Sequence, residues 1–318
     1  MDRELADWAR ERAFRAAVGP VSLVHTVRKR LKRLKEKGEI QLEFFLKNLN
    51  SFTHLEGCPI QSPQSLVVVA IPRPAHIIKV DIKGEKKKLI FPPTYVNYSD
   101  VFNETLLDFK HELAGKKWQA SLINAPLKSL AVELGLAVYG KNNITYISEF
   151  GSYFQLVGIV TNIPLKKKSL KKDGELLGKE RIAERCESCR ACFKACPLQA
   201  IPQERFLLRA ERCYVSYSES AENIPPGMKS PSPECIIGCL KCQEVCPLNK
   251  SKFKVKDTGI YLSHEETEII LKNVPFSSSH LSNLIKEKLK SLRLTENYEI
   301  YYRNLRHLLQ EQCSQVED

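Results

Sequence analysis

No stretch of this 318-residue chain approaches the ~20 consecutive apolar residues that a membrane helix needs. That absence excludes a helical membrane protein and argues against a membrane partner. The opening residues, MDRELADWARERAF, are charged and lack the apolar core of a secretory signal, so a cytoplasmic location is expected. No Gly-rich dinucleotide fingerprint and no phosphate-loop pattern occurs, which argues against flavin or nicotinamide held in the Rossmann manner. The seven histidines (His25, His54, His76, His111, His264, His280 and His307) show no metal-ligand spacing and read as core or surface residues. Low-complexity tracts and tandem arrays are also missing, apart from a doubled cysteine pattern.

Cysteine is what the chain has in concentrated form. Of its eleven, eight fall in two dense runs. The first reads Cys186-x2-Cys189-x2-Cys192-x3-Cys196-Pro197, the bacterial ferredoxin spacing that wraps a [4Fe-4S] cubane. The second reads Cys239-x2-Cys242-x3-Cys246-Pro247, with Cys235 just upstream, and Cys213 lies between the runs. A cubane takes four thiolates, so this set can serve two clusters. In two-cluster ferredoxins the fourth Cys of each run ligates the other cluster. By that logic Cys186, Cys189, Cys192 and Cys246 hold cluster I, while Cys196 crosses over to join Cys239 and Cys242 in cluster II. Cluster II still needs one ligand. A strict repeat would put it at position 236, which is Ile236; Cys235 misses that register by one residue, and Cys213 lies further upstream. Spacing leaves both open. Zinc also uses Cys-x2-Cys pairs, but the triple run ending in Cys-Pro is typical of cubanes. Disulfides need an oxidising compartment, which the charged N-terminus does not suggest.

The formal net charge of +12 favours acidic partners. These would be an electron donor such as ferredoxin or flavodoxin, a phosphate-bearing small molecule, or RNA. The charge concentrates in RKRLKRLKEK (Arg28 to Lys37) and LKKKSLKK (Leu165 to Lys172), which also read as a solvated helix face and a linker.

Periodicity predicts an α+β fold. The first ~50 residues read as helices: DRELADWARERAFRAAV up to Gly19-Pro20, SLVHTVRKRLKRLKEKG, and QLEFFLKNLN. SLVVVAIP is a continuous buried strand, and IIKVDIKGEKKKLIF a hairpin turning near Gly84. VFNETLLDFKHEL and APLKSLAVELGLAVYG read as helices, then NITYIS and YFQLVGIVTN as strands. Residues 1–164 would form an α+β cofactor or substrate domain and 165–185 a basic connection. Residues 186–250 would be an inserted ferredoxin-like double-cubane module, and 251–318 a helical C-terminal cap of three helices.

The segments GKNNITYISEFGSYFQLVGIVTNIPL, ERCESCRACFKACPLQAI, LLRAERCYVSYSE and IIGCLKCQEVCPLNK occur in that order. From about Ala125 to Lys250 the chain resembles epoxyqueuosine reductases, the cobalamin- and double-cubane-dependent enzymes of tRNA queuosine synthesis. It is similar, more distantly, to the catalytic core of reductive dehalogenases. The resemblance implies a cobalamin-reductase-like body. It also makes the Cys of the "RC" pair a ligand, so that cluster II would be Cys196, Cys213, Cys239 and Cys242, with Cys235 a bystander. A corrinoid would sit over cluster I, in a pocket including Gly140, Lys141, Asn142 and Ser152. An Asp shortly before an Ala-Pro step is the family's proton donor, yet this chain has Ile123-Asn124-Ala125-Pro126 there, with no acid. Tyr139, assisted by the cation of Lys141, is the replacement that dehalogenase-like chemistry implies. The functional expectation is an iron-sulfur oxidoreductase passing low-potential electrons through two [4Fe-4S] clusters to a bound corrinoid and an unidentified substrate. Two alternatives fit the same residues. One is an electron-transfer protein or corrinoid activator without its own substrate, and the other a tRNA-modifying epoxyqueuosine reductase relative.

Overall fold

The computed structural model describes residues 2–165, 181–222, 224–276, 278–294 and 298–314. Most of the basic connection, including nearly all of LKKKSLKK, lies outside the described residues. In chain order the body contains α1 (Asp2–Glu11), β1 (Arg15–Pro20), α2 (Ser22–Glu36), α3 (Leu42–Phe44, continued by a π-turn Phe45–Leu49), β2 (Ser65–Pro72), β3 (Ala75–Ile82), β4 (Glu85–Phe91), α4 (Tyr98–Glu112), β5 (Ala120–Leu122), α5 (Leu127–Glu133), β6 (Val138–Tyr139), β7 (Thr145–Tyr146) and β8 (Phe154–Thr161). Then come three short helices, α6 (Ala191–Ala195), α7 (Tyr214–Ser218) and α8 (Lys241–Glu244). The chain closes with β9 (Val255–Leu262), α9 (His264–Leu271), α10 (His280–Lys290) and α11 (Tyr298–Ser314).

The central sheet has the order β1-β2-β8-β5, and all its pairs are antiparallel. Its inner strand β2 is covered on both faces, which is why its sequence is a continuous apolar run rather than an alternating one. Leu66, Val68 and Ala70 point into a core shared with Val24 and Val27 of α2 and Leu130 of α5. Val67, Val69 and Ile71 point the other way, against Trp8 of α1 and Val101 and Phe109 of α4. A one-residue slip would exchange these two cores.

Gly158 of β8 lies on the α5 side. A Cβ there would meet Ile123 Cγ2 at 2.7 Å and Leu127 Cδ2 closer still. The bare backbone lets α5 sit down on the sheet and so sets the position of the residues that follow it. Gly158→Val is expected to destabilise the protein by about 1–3 kcal/mol through overpacking. A wild-type melting temperature for this variant would count against that account of the helix–sheet contact.

A second, three-stranded sheet has the order β4-β3-β9, with β3 and β4 forming the expected hairpin and β9 parallel to β3. Its apolar face packs on α9, α10 and α11 through Ile78, Val80, Leu89, Phe91, Ile270, Leu289, Tyr301 and Leu305.

The body mixes helices with mainly antiparallel strands, as the pattern predicts, but residues 15–20, 120–122, 138–139 and 255–262 differ from expectation in being strands. Residues 15–20 are an edge strand rather than the end of a helix. The chain turns at Ala13 (φ 57°), and Ala16–Val18 pair with Val67–Val69. Pro20 ends this edge strand, where a missing N–H costs nothing. The C-terminal segment opens with strand β9, whose charged, alternating VKDTGIYL carries little hydrophobic signal because its residues are mostly exposed. Among the described residues no helix is long and apolar enough to cross a membrane.

Candidate functional site

Both cysteine runs fold in the same way. Cys186 ends a 3-10 turn (Glu184–Cys186), Cys192 lies in α6, and Cys196 leaves the helix in an extended conformation (ψ 105°) ahead of Pro197. In the second run Cys242 lies in α8 and Cys246 is extended (ψ 121°) ahead of Pro247. A residue before proline is pushed out of the helical region. Each run therefore throws its last thiol away from the turn that holds the others. Helices α6 and α8 pack on each other, and the thrown thiols exchange sides. Cys186, Cys189, Cys192 and Cys246 line one small space. Cys196, Cys213, Cys239 and Cys242 line one end of a large cavity of about 680 Å³.

Four zinc-bound thiolates at Zn–S of about 2.3 Å would lie about 3.8 Å apart. Among the described residues no three His, Cys, Asp or Glu side chains converge on a point in the manner of single-ion ligands. The donor chemistry, four thiols around each of two spaces, is the set a cubane takes. All eleven cysteines are free thiols. Burial, followed by the neighbouring thiols, pushes Cys192 up to about 11, and burial pushes Cys213 to about 11 as well. Cys242 is raised further, also by burial first. Such thiols stay neutral at pH 7 until a bound metal supplies the compensating charge.

Cys235 lines neither space. It is buried, and its neighbours Glu234 and Ile236 bond through their backbones to Ile90 of β4. Cys58 lines a separate cavity, and Cys313 packs against the core under α11.

The GKN turn (140–142) threads between the two thiol groups. The backbone N–H of Lys141 donates to Cys186, and the side-chain amide of Asn142 bonds Cys242. Tyr146, four residues on, bonds Cys246 with its hydroxyl and accepts from Asn142 Nδ2 at 2.8 Å. Gly140 is needed here because a Cβ would meet Tyr146 Cε2 at 2.6 Å and Asn142 Oδ1 at 2.7 Å.

The expected corrinoid pocket is therefore split. Asn142 and Ser152 line the large cavity, whereas Gly140 and Lys141 line the small thiol space. Successive residues of a tight turn face opposite sides. The large cavity adjoins the Cys213 group, not the Cys186 group over which the corrinoid was expected. Ser152 Oγ donates to Gln243 Oε1 (2.8 Å) and accepts from Asn249 Nδ2 (2.9 Å), which ties the "GS" turn to the second cysteine run.

Tyr139 lines the large cavity, its hydroxyl 3.0 Å from Ser129 Oγ and its ring edge-on to Phe206. Lys141 does not assist it. Its ammonium donates to the Glu187 carbonyl at 3.0 Å, on the far side of the turn. Ile123 is buried in the core. Asn124 faces the separate cavity that holds Cys58, its amide donating to the Ser51 carbonyl and its own carbonyl accepting from His54 N–H at 2.8 Å. The sequence reading missed Tyr95, Lys128, Tyr146, Glu219 and Gln243. Tyr146, in NITY, lies close enough to the GKN turn to have been a candidate; the others come from distant segments with no shared pattern.

The large cavity is mostly apolar. Among the described residues Lys128 and Lys241 are its only charged lining residues, and Lys241 has Glu244 at 3.7 Å. Lys128, in the first turn of α5, makes no hydrogen bond or ion pair among the described residues. Its side chain is exposed to solvent, while the surrounding protein pulls its pKa down against the raising effect of Glu219 and Cys213. Tyr95 and Tyr98 line both this cavity and a side chamber of about 340 Å³ that contains Glu219. The Tyr95 hydroxyl donates to the Glu219 carboxylate.

Residues 185–249 match the model of the "4Fe-4S double cluster binding domain" family. In sequence the chain is 27% identical over 198 residues to an epoxyqueuosine reductase of Bacillus subtilis, covering 59% of this chain and 48% of the relative. It is 33% identical over 140 residues to one from Synechocystis, covering 43% and 44%. The chain spans about half the length of these relatives. A solved structure of the Bacillus subtilis enzyme, with its catalytic loop swung out of the active site, superposes with a TM-score of 0.69 at 20% identity, covering 96% of this chain and 79% of the other. An epoxyqueuosine reductase solved with an epoxyqueuosine-modified tRNA stem loop gives 0.65 at 18% identity, with the same coverage. In sequence this chain is epoxyqueuosine reductase-like, and it shares the fold of these solved enzymes.

Proposed function

We propose that this chain is an iron-sulfur oxidoreductase whose two [4Fe-4S] clusters deliver low-potential electrons into the large cavity, to a corrinoid and a substrate held there. The observation that carries this reading is the partition of eight thiols into two quartets, one of which opens into that cavity. Cluster I takes Cys186, Cys189, Cys192 and Cys246. Cluster II takes Cys196, Cys213, Cys239 and Cys242. Thiols of the two quartets interact, Cys192 with Cys242 among them. That proximity supports an electron path from cluster I through cluster II to the cavity. In this reading residues 186–250 are an inserted module between a cofactor-binding body (1–164, with the connection 165–185) and a C-terminal cap (251–318).

The cavity's apolar lining suits the hydrocarbon face of a corrin ring, with Tyr98, Phe154 and Leu156 as packing surface and Asn142 and Ser152 as polar contacts. When bound, a corrinoid supplies a cobalt centre that accepts electrons one at a time. The chain's own residues enclose that space and hold protons at its wall. Tyr139, bonded to Ser129, is one such donor; Asn124 is not, because its side chain carries no ionisable proton and faces another cavity. The net charge of +12 and the tRNA stem loop bound by a structural relative favour a tRNA substrate. An acidic ferredoxin or flavodoxin in the cytoplasm would supply the electrons.

Anaerobically purified protein is expected to carry about eight iron and eight sulfide per chain. After incubation with hydroxocobalamin and desalting, it should retain the corrinoid absorbance. Complete loss of corrinoid with both clusters intact would favour a pure electron carrier instead. Affinity for a tRNA stem loop should fall steeply, about 10³-fold or more, between 50 and 200 mM salt. Binding that ignores salt would remove tRNA as the substrate class.

A further inference from the structure

We propose that Lys128 and Glu219 are an opposed charge pair that sets the reduction potential of cluster II. The inference rests on the assignment of Cys213 to that cluster. Lys128 is the one lining cation of the large cavity with no ion pair among the described residues, and it lines that cavity together with the Cys213 quartet. Its charge interacts with Cys213 and with Glu219. Glu219 follows α7, whose N-terminal neighbour is Cys213, and its carboxylate acts on the Cys213 thiol in turn. The Tyr95 hydroxyl holds the carboxylate in place. Among the described residues Lys241, the other cation of this wall, has Glu244 beside it, so that neighbourhood carries no net charge. Neither Lys128 nor Glu219 lines the small space of Cys186, Cys189, Cys192 and Cys246, so the pair's influence falls mainly on one cluster.

The physical consequence follows from charge balance. Reducing a [4Fe-4S] cluster adds one electron to its iron, breaks no bond, and makes the cluster more negative by one charge. A fixed cation nearby stabilises the reduced form and raises the potential, and a fixed anion lowers it. Both side chains are exposed to solvent, so salt screens the effect in part. Lys128 thus makes cluster II the better acceptor for electrons leaving cluster I, while Glu219 keeps it reducing enough to pass them on. Lys128 and Glu219 are positioning residues in this role, acting through the cluster.

The test is an EPR-monitored potentiometric titration at pH 8 of the two-cluster protein without corrinoid, using dithionite as the one-electron reductant. Four proteins are compared: wild type, Lys128→Met, Lys128→Arg and Glu219→Gln. Lys128→Met is expected to shift the cluster II equilibrium about tenfold toward the oxidised form, ~59 mV lower. Glu219→Gln should shift it in the opposite sense, and Lys128→Arg should leave it near wild type. Cluster I should hold its midpoint throughout. Equal midpoints in all four proteins, shifts of the same sign, or matching shifts in both clusters would overturn the inference. If Lys128→Met fails to assemble clusters, Lys128→Arg and Glu219→Gln still decide it by the sign of the second shift. Wild-type protein with fewer than two clusters would overturn the functional reading itself, which separates the two failures.

Discussion

Cys213→Ser protein is expected to lose about half of its iron and the EPR signal of one cluster, whereas Cys235→Ser should keep close to eight iron and both signals. Both cysteines precede the second run, and on spacing Cys235 is the nearer to the register of a strict repeat. The tertiary structure separates them. Cys213 ends a 3-10 turn (Ala210–Arg212), starts α7, and lines the same cavity end as Cys196, Cys239 and Cys242. Cys235 is 3% exposed, and the flanking backbone is bonded to β4 on both sides, from Ile90 N to Glu234 O and from Ile236 N to Ile90 O. Bringing the Cys235 thiol to the cavity would break those bonds and empty a packed site. A serine hydroxyl at position 213 does not ionise near neutral pH, so it is a poor replacement for a thiolate. Cys58→Ser, in a separate cavity, serves as the control for general thiol loss. Iron and sulfide analysis with low-temperature EPR decides the matter, and the reverse pattern would mean that the quartets are wrongly drawn.

Arg303→Met should destabilise the protein by about 3 kcal/mol, the scale of a few lost charge-assisted hydrogen bonds with their carbonyls left partly buried. This one guanidinium, from α11, donates to the carbonyls of Tyr217 (3.1 Å), Ser218 (3.3 Å) and Ser220 (2.8 Å), and also to that of Glu222. Asn304 beside it adds Nδ2 to the Ser218 carbonyl at 2.8 Å. These carbonyls belong to the C-terminal end of α7 and its following turn, where a cation also complements the helix dipole. Because Cys213 sits at the other end of α7, loosening this end should speed chelator extraction of iron from cluster II more than from cluster I. Arg303→Lys is expected to recover only part of the loss, since an ammonium cannot fork across so many acceptors. Thermal melting measures the first effect and the time course of iron release the second. Equal extraction rates from both clusters would show that α11 does not support the Cys213 segment.

Features that are local in the chain were legible in its sequence. The cubane spacing is local: Cys186 to Cys196 are held by one turn and one short helix, so their common purpose is legible without a fold. The same holds for β2, whose unbroken run of apolar residues signals burial on both faces, and for the three C-terminal helices with their regular periodicity. Strand β9 was hidden because its exposed, charged residues give no hydrophobic pattern, and it exists through pairing with β3, some 180 residues away. Strand β1 was hidden because AFRAAV is compatible with a helix until Val67–Val69 offer it a partner. Local propensity yields to tertiary pairing in both cases.

The chemistry of the site divides along the same line. The amino-acid sequence alone determined the donor set: enough thiols, in the right rhythm, for two cubanes, and no histidine or glycine pattern for a competing cofactor. Only the folded chain decided which thiols share a space and which cavity adjoins which quartet. It also decided that Lys141 turns from Tyr139 toward Glu187 and that Lys128 and Glu219 come to bear on Cys213. A motif records ligands that neighbouring residues present together. The environment that tunes those ligands is built from residues far apart in the chain, whose approach is set by sheet register and helix packing and leaves no periodic trace in the sequence.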